Sequence, residues 1–554
     1  MSQSNYDVII IGGGVLGCMT ARELSRFHLK TALLEKNPDI CAEVTKANTA
    51  IIYPGYDSKP GSLKAKLCVN GNKNMEALCK ELSVPFKHCG SLMVAAGPKG
   101  EEKLRKKLKA GKENSVPGIK LISGEEARLL EPALSDKITL ALYAETTATL
   151  DPWALGIAAA ENAAANGVDI YTSTEVTGII NTATDHSIQQ DSPDDSKPDE
   201  SKPNDSIPDD LKKESYSCKI TTKTGASYTA QNVVCTAGLY SDTLTSMICN
   251  NPYKIVPQRA DFIVLDPSLE GFLSHILFCE SEDKGKSVSL VPAIDGPILI
   301  GSSKIDASGD KESRPSSEEG LRELAEEARD FLPDIPLDLC IRTFTGLRPN
   351  PYYIDSEKSI NDFIITEAPD SPGFIYLMGI KTPGLSCAGE IAKHVTELAK
   401  NRIGVISERT DFDPSKKTGI GINNLPEETI FNEASETEAS ETAASTEKPT
   451  ISLSRDSIFN DDILTDDKNR ESGKIINGNI VCRCRKVTEK EIIEAIHRMP
   501  CPPTLDGIKR RTGTCMGRCQ GGYCTQRILE IVKAETDIDL SDIEWDRDGS
   551  WIVR

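Results

Sequence analysis

Tyr6-Asp7-Val8-Ile9-Ile10-Ile11-Gly12-Gly13-Gly14-Val15-Leu16-Gly17 is the stretch that decides the fold. Its first half is a largely apolar, β-branched run that reads as a strand. Gly12, Gly14 and Gly17 follow at the spacing of a nucleotide-binding turn, and a helical pattern opens at Cys18-Met19-Thr20-Ala21. A second apolar strand, Thr31-Ala32-Leu33-Leu34, ends at Glu35. Strand, turn, helix and strand form a βαβ unit, and the acid after its second strand marks a dinucleotide site. The glycines let the backbone approach a pyrophosphate, and the helix N-terminus offers it unpaired N–H groups. Glu35 is placed for the ribose hydroxyls.

Further along, two elements separate FAD from NAD. Gly373-Phe-Ile-Tyr-Leu-Met-Gly379 leads through Pro383-Gly384-Leu385-Ser386 into a helical run to Leu398. Such a late strand, turn and helix aimed back at the site suits a flavin, because the helix N-terminus can stabilise negative charge on the reduced ring. Val233-Val234-Cys235-Thr236, running into Ala237-Gly238, is another point of close backbone approach. Together these favour FAD.

The whole chain of 554 residues is too long for one core and implies two or three domains. Its net charge of −20 argues against nucleic acid as a partner. No apolar run is long enough for a membrane span, and Met1-Ser-Gln-Ser-Asn-Tyr-Asp resembles no leader, so a cytoplasmic protein is expected. Two low-complexity stretches hold much of the acid. Residues 187–215 read as a disordered insertion at a hairpin tip, between Val176-Thr-Gly-Ile-Ile and Cys218-Lys-Ile-Thr-Thr. Residues 431–470 read as the disordered centre of a linker spanning 411–479. Of seventeen cysteines, eleven are scattered through the first 400 residues as reduced core thiols. The other six crowd into 482–524, where the spacing indicates metal ligation.

At this point the sequence resembles a family. Thr45-Lys46-Ala47-Asn48-Thr49-Ala50-Ile51-Ile52-Tyr53-Pro54-Gly55 and Lys59-Pro60-Gly61-Ser62-Leu63-Lys64 are similar to the flavin-facing segment of L-2-hydroxyglutarate dehydrogenases and their glycerol-3-phosphate dehydrogenase-like relatives in the D-amino-acid-oxidase superfamily. Asp151-Pro152-Trp153, Phe344-Thr345-Gly346-Leu347-Arg348-Pro349 and Gly379-Ile380-Lys381-Thr382-Pro383-Gly384-Leu385 carry the resemblance onward. It implies an α/β fold of two lobes. A Rossmann-like FAD lobe would comprise about 1–81, 151–245 and 346–410; an antiparallel-sheet substrate lobe would comprise about 82–150 and 246–345. It also implies that Thr45, Asn48, Gly238, Gly379, Gly384 and Leu385 join Gly12, Gly14, Gly17 and Glu35 around FAD, and that Arg348 and Lys381 face the substrate. One position departs from the pattern. The family's histidine, a natural base for an alcohol proton, is replaced by Tyr53, which leaves His88 and His275 as alternatives. Arg348 suits a carboxylate or phosphate through its planar fork.

Cys482-Arg483-Cys484 and Cys515-Met516-Gly517-Arg518-Cys519-Gln520-Gly521-Gly522-Tyr523-Cys524 are two close groups of thiols. That arrangement suits a thiolate-held cluster, and four thiolates would also suit zinc. The segment 480–535 resembles the small helical bacterioferritin-associated ferredoxin-like 2Fe–2S domain. This resemblance implies Cys482, Cys484, Cys519 and Cys524 as ligands, with Cys515 an extra thiol. Residues 536–554 read as a short acidic tail. The expected activity is oxidation of a small anionic alcohol, first sn-glycerol 3-phosphate, with electrons relayed through the cluster to an acceptor protein. L-2-Hydroxyglutarate, an amine or amino acid, and a non-catalytic electron-transfer subunit are the alternatives.

Overall fold

The structure, a computed structural model, describes residues 4–182, 218–280, 287–307, 309–312, 315–404, 406–416, 479–501, 504–547 and 549–553. The opening unit forms as its pattern dictates. Strand Ser4–Ile11, helix Val15–Leu24 and strand Thr31–Leu34 follow one another. The first strand pairs in parallel with Thr31–Leu34 on one side and Ser227–Cys235 on the other. This is the centre of an eight-stranded sheet that Asp169–Tyr171 extends in parallel at one edge. Its inner strands are buried on both faces (Val8, Ile9 and Ile10 are inaccessible), which is why they read as unbroken apolar runs rather than alternating ones. Val176–Asn181 and Cys218–Thr222 form an antiparallel hairpin in the same sheet, with Asn181 opposite Cys218. Residues 183–217 between them, including the insertion expected to be disordered, lie outside the described residues. So do 431–470.

The second sheet has nine strands. Its longest pair is the antiparallel ribbon Tyr253–Leu265 with Cys340–Tyr353. One pair departs from the expected antiparallel pattern: Ser91–Ala95 runs parallel to Ile276–Glu280. These strands come from the two separate chain segments of this lobe, so no hairpin fixes their direction. A core of Leu92, Val94, Leu277, Leu290 and Ile300 lies beneath helix Glu318–Phe331.

The C-terminal domain places helices Glu489–His497, Leu505–Thr512 and Thr525–Thr536 around Ile492, Ile508, Ile528 and Val532. Thr488 and Glu491 close a capping box at the first helix, as their spacing predicts. Two readings of the sequence change here. The start of the expected linker is held in place, because Asn162 and Asn166 donate to the carbonyls of Asp413, Pro414 and Lys416. The expected tail is part of the domain: Asp506 N–H donates to Trp545 O (2.8 Å), and Ile543 is buried.

Candidate active site

One cavity of about 540 Å³ opens between the sheets. Gly12, Gly14, Glu35, Thr45, Asn48, Gly238, Gly384 and Leu385 line it, together with Tyr53, Arg348 and Lys381. Gly17 and Gly379 do not. A Cβ on Gly17 would overlap the Gly12 carbonyl oxygen, so this glycine lets the opening helix sit against the strand turn. Gly379 has φ +70° and turns the chain beside Pro351.

At the nucleotide end, Glu35 accepts from Gly13 N–H (2.6 Å) and from Asn37 N–H and Nδ2 (2.8 and 2.9 Å). A carboxylate has about four lone-pair sites, so room remains for a ribose hydroxyl. The opening helix has no side-chain cap from Gly14, and Thr45 Oγ1 accepts from Val15 N–H at 3.0 Å. Tyr240 lines the same cavity, and its buried hydroxyl has no partner among the described residues. A spare acceptor, open helix N–H groups and an orphaned phenol fit a dinucleotide.

At the other end, the strand Cys340–Tyr353 carries Arg348, with Asn350 two residues on and therefore on the same face. Arg348 donates to Ser303 O (3.3 Å) and Ser302 Oγ. Lys381 donates to Asn350 Oδ1 at 2.7 Å. Burial, then the nearby Lys64 and Arg348, lowers the Lys381 amine to about 8. Tyr53 packs against Phe278 (5.7 Å between ring centroids), and burial pushes its phenol up to about 12. The histidines are elsewhere: neither lines the cavity. His88 is exposed and meets Glu76 at 3.0 Å, and His275 Nδ1 meets Glu131 at 2.8 Å. Asn350 and Ser302 were missed in the sequence. The alternation of a strand through Arg348 could have found Asn350; Ser302 comes from a strand end remote in sequence.

The cysteines also converge. Cys484 Sγ stands 3.7 Å from Cys519 Sγ, and Cys524 Sγ stands 3.6 Å from Cys515 Sγ. Cys482 is buried beside Cys524 and raised by that contact. Gly517 is required, since a Cβ there would overlap the Cys484 side chain. Cys515 lies as close to Cys524 as Cys519 does to Cys484, so distance alone does not set it apart from the four ligands that the resemblance implied.

The comparisons with known proteins match this geometry. Residues 7–398 match the family model "FAD dependent oxidoreductase". The chain belongs to that family. Residues 480–534 match the model for a BFD-like [2Fe-2S] binding domain. The oxidoreductase therefore uses FAD and a 2Fe–2S cluster rather than zinc. A glycerol 3-phosphate dehydrogenase of Caloramator mitchellensis is 36% identical over 99% of this chain and 98% of its own length. A glycerol 3-phosphate oxidase of Mycoplasma pneumoniae is 29% identical over 71% of this chain and 94% of its own. Among solved structures, FAD-bound L-alpha-glycerophosphate oxidase from M. pneumoniae superposes with a TM-score of 0.64 at 27% identity, covering 75% of this chain and 99% of that one. Among the described residues no helix is long and apolar enough to cross a membrane.

The two domains meet through charged side chains. Asp39 is fully buried and takes Arg511 through Nη1 (2.9 Å) and Nη2 (3.0 Å), and also Arg510. Burial pushes the Asp39 carboxyl up, but Arg511 and Arg510 outweigh it and hold the group below the usual range. Lys46 reaches Asp506 (3.3 Å) and Asp546 (3.2 Å), and Arg498 meets the buried Glu161 at 2.9 Å. On the other lobe, Arg518 grips Asp266 and holds its carboxyl down to about 2, while Arg485 meets Asp295 at 3.2 Å. The loop 35–48 therefore has two faces. Glu35, Thr45 and Asn48 line the cavity; Asp39 and Lys46 hold the cluster domain.

Proposed function

We propose that this enzyme oxidises the secondary alcohol of sn-glycerol 3-phosphate and sends the electrons through its cluster to an acceptor protein. One observation carries the reading. Arg348 is aimed into the cavity, bonds only uncharged oxygens, and has no carboxylate partner among the described residues. A half-buried guanidinium facing a cavity without a counter-ion calls for an anionic ligand, and its fork matches phosphate oxygens. The full-length likeness to a glycerol 3-phosphate dehydrogenase supports the phosphate over a 2-hydroxy acid's carboxylate.

FAD, when bound, supplies the hydride acceptor. The chain's own residues position the alcohol and remove its proton. Of Tyr53, Arg348 and Lys381, only the Lys381 amine titrates near neutrality. Its Nζ takes the hydroxyl proton that a histidine takes elsewhere in the family, while Tyr53 stays protonated and donates. The reduced thiols throughout the chain support a cytoplasmic setting. The test is anaerobic addition of substrate. sn-Glycerol 3-phosphate should bleach the oxidised-flavin absorbance, and L-2-hydroxyglutarate should not. Bleaching by the hydroxy acid alone, or by an amine alone, would overturn the assignment.

A further inference from the structure

Of the four thiols assigned to the cluster, Cys482 and Cys524 are buried, whereas Cys484 and Cys519 are exposed. One edge of the thiol set therefore faces solvent. Side chains of a single sign frame it. The segment joining strands Ile480–Cys482 and Val487–Thr488 presents Arg483 and Lys486 on either side of Cys484, and both are exposed. The Arg483 guanidinium stands 4.3 Å from the ring centroid of Tyr523, which is 56% exposed and adjoins Cys524.

The contrast with neighbouring arginines is informative. Arg485 and Arg518 lie beside the same exposed thiols and are tied to Asp295 and Asp266 of the second-sheet lobe. Arg483 and Lys486 have no carboxylate partner among the described residues. The basic residues at the cluster thus divide into a pair spent on docking and a pair left free. This is a chain with 84 acidic against 64 basic residues, where a free cation has many acids to choose from. Lys486 is moreover held at φ +54°, a conformation that L side chains rarely adopt. The turn leaves both cations exposed, with the Tyr523 ring against the Arg483 guanidinium. Cations around an exposed aromatic suit a protein partner rather than a small molecule.

We propose that the edge formed by Arg483, Lys486 and Tyr523 around Cys484 and Cys519 is the docking surface for a small one-electron carrier protein whose redox centre is rimmed by carboxylates. The inference rests on the electron-relay reading of this enzyme and names the partner's chemistry. Each alcohol oxidised to a ketone yields two electrons and two protons. The carrier takes one electron per encounter, so two carriers are reduced for each ketone formed and the protons go to solvent. Opposite charges steer the encounter and set the orientation, and salt screens both.

The test uses the holoenzyme reduced chemically with dithionite, so that its outcome is independent of which alcohol is the substrate. It is mixed in a stopped-flow instrument with an oxidised acidic 2Fe–2S ferredoxin whose reduction potential lies above that of the enzyme's own cluster. The parent should react fast at low salt and slow steeply as salt is added. The double variant Arg483→Glu/Lys486→Glu should react at least about tenfold more slowly, with a flattened salt dependence. Oxidation of both proteins by a small uncharged dye should be the same. Iron content is measured for each protein, and Arg483→Gln/Lys486→Gln stands in if charge reversal costs the cluster. Ferredoxin reduction by the variant at the parent rate would overturn the proposal. So would a parent rate indifferent to salt, or faster oxidation by a basic cytochrome or by quinone-loaded vesicles than by the ferredoxin.

Discussion

At the scale of single residues, Arg348 and Lys381 divide the work of binding and proton removal. If Arg348 grips the phosphate, Arg348→Ala should raise the barrier to flavin reduction by roughly 2–5 kcal/mol while leaving FAD bound. Arg348→Lys should recover only part, because a point charge lacks the fork. Flavin reduction followed anaerobically in both variants decides the matter, and parent-like rates would place Arg348 outside the site. Lys381 makes a prediction in pH. Below about 8 its amine is protonated and cannot accept, so the rate of flavin reduction should rise with pH and level off above that value. Both Lys381→Met and Lys381→Arg should slow reduction by roughly 10²–10⁴-fold and remove the inflection. Full activity in the arginine variant would show that the charge matters and the proton does not. Arg348 was legible in the sequence because it stood in a recognisable run. The base was not, because a lysine becomes a base only through burial and through the company of Lys64 and Arg348, neither of which is near it in sequence.

At the scale of elements, the βαβ unit and the capping box at Thr488 were legible because each is written in one short, unbroken run of residues. The parallel pairing of Ser91–Ala95 with Ile276–Glu280 was not, since nothing local fixes the direction of strands whose partners are 185 positions apart. Two predictions belong here. Asn181 and Cys218 are register partners at the end of a hairpin, so a short turn can replace 187–215 without moving the strands. FAD content and flavin reduction should match the parent, and loss of FAD would show that the segment supports the fold. The turn carrying Gly517 is less forgiving. Gly517→Ala drives a methyl into the Cys484 side chain, so the purified variant should keep its flavin and lose most of its iron. Iron retained at parent level would mean that the loop can yield.

At the scale of the whole molecule, the cluster domain is seated rather than merely tethered. Its contacts bridge both lobes, and those at Asp39 are buried. Asp39→Asn leaves Arg511 without its counter-charge in a dry place and Arg510 with Asp506 alone, at a cost of about 3–5 kcal/mol. Once the chain is cut by protease between 416 and 479, the parent should stay in one piece on gel filtration and the variant should separate. Co-elution of both variant fragments would show that other contacts suffice. This arrangement was invisible in the sequence, because Asp39 and Arg511 are 472 positions apart and each reads alone as an ordinary surface charge.

The two-faced loop 35–48 has a consequence for how the protein is made. Free energy is a state function, so by as much as bound nucleotide favours seating the last domain through this loop, the seated domain favours binding the nucleotide. Synthesis runs in one direction, and the oxidoreductase portion leaves the ribosome before the clustered cysteines do. A chain that has already gathered its flavin offers the late-arriving module a finished berth. A chain that has not leaves Asp39 in an unsettled loop, and its two arginines wait on the other side for a place that has yet to form.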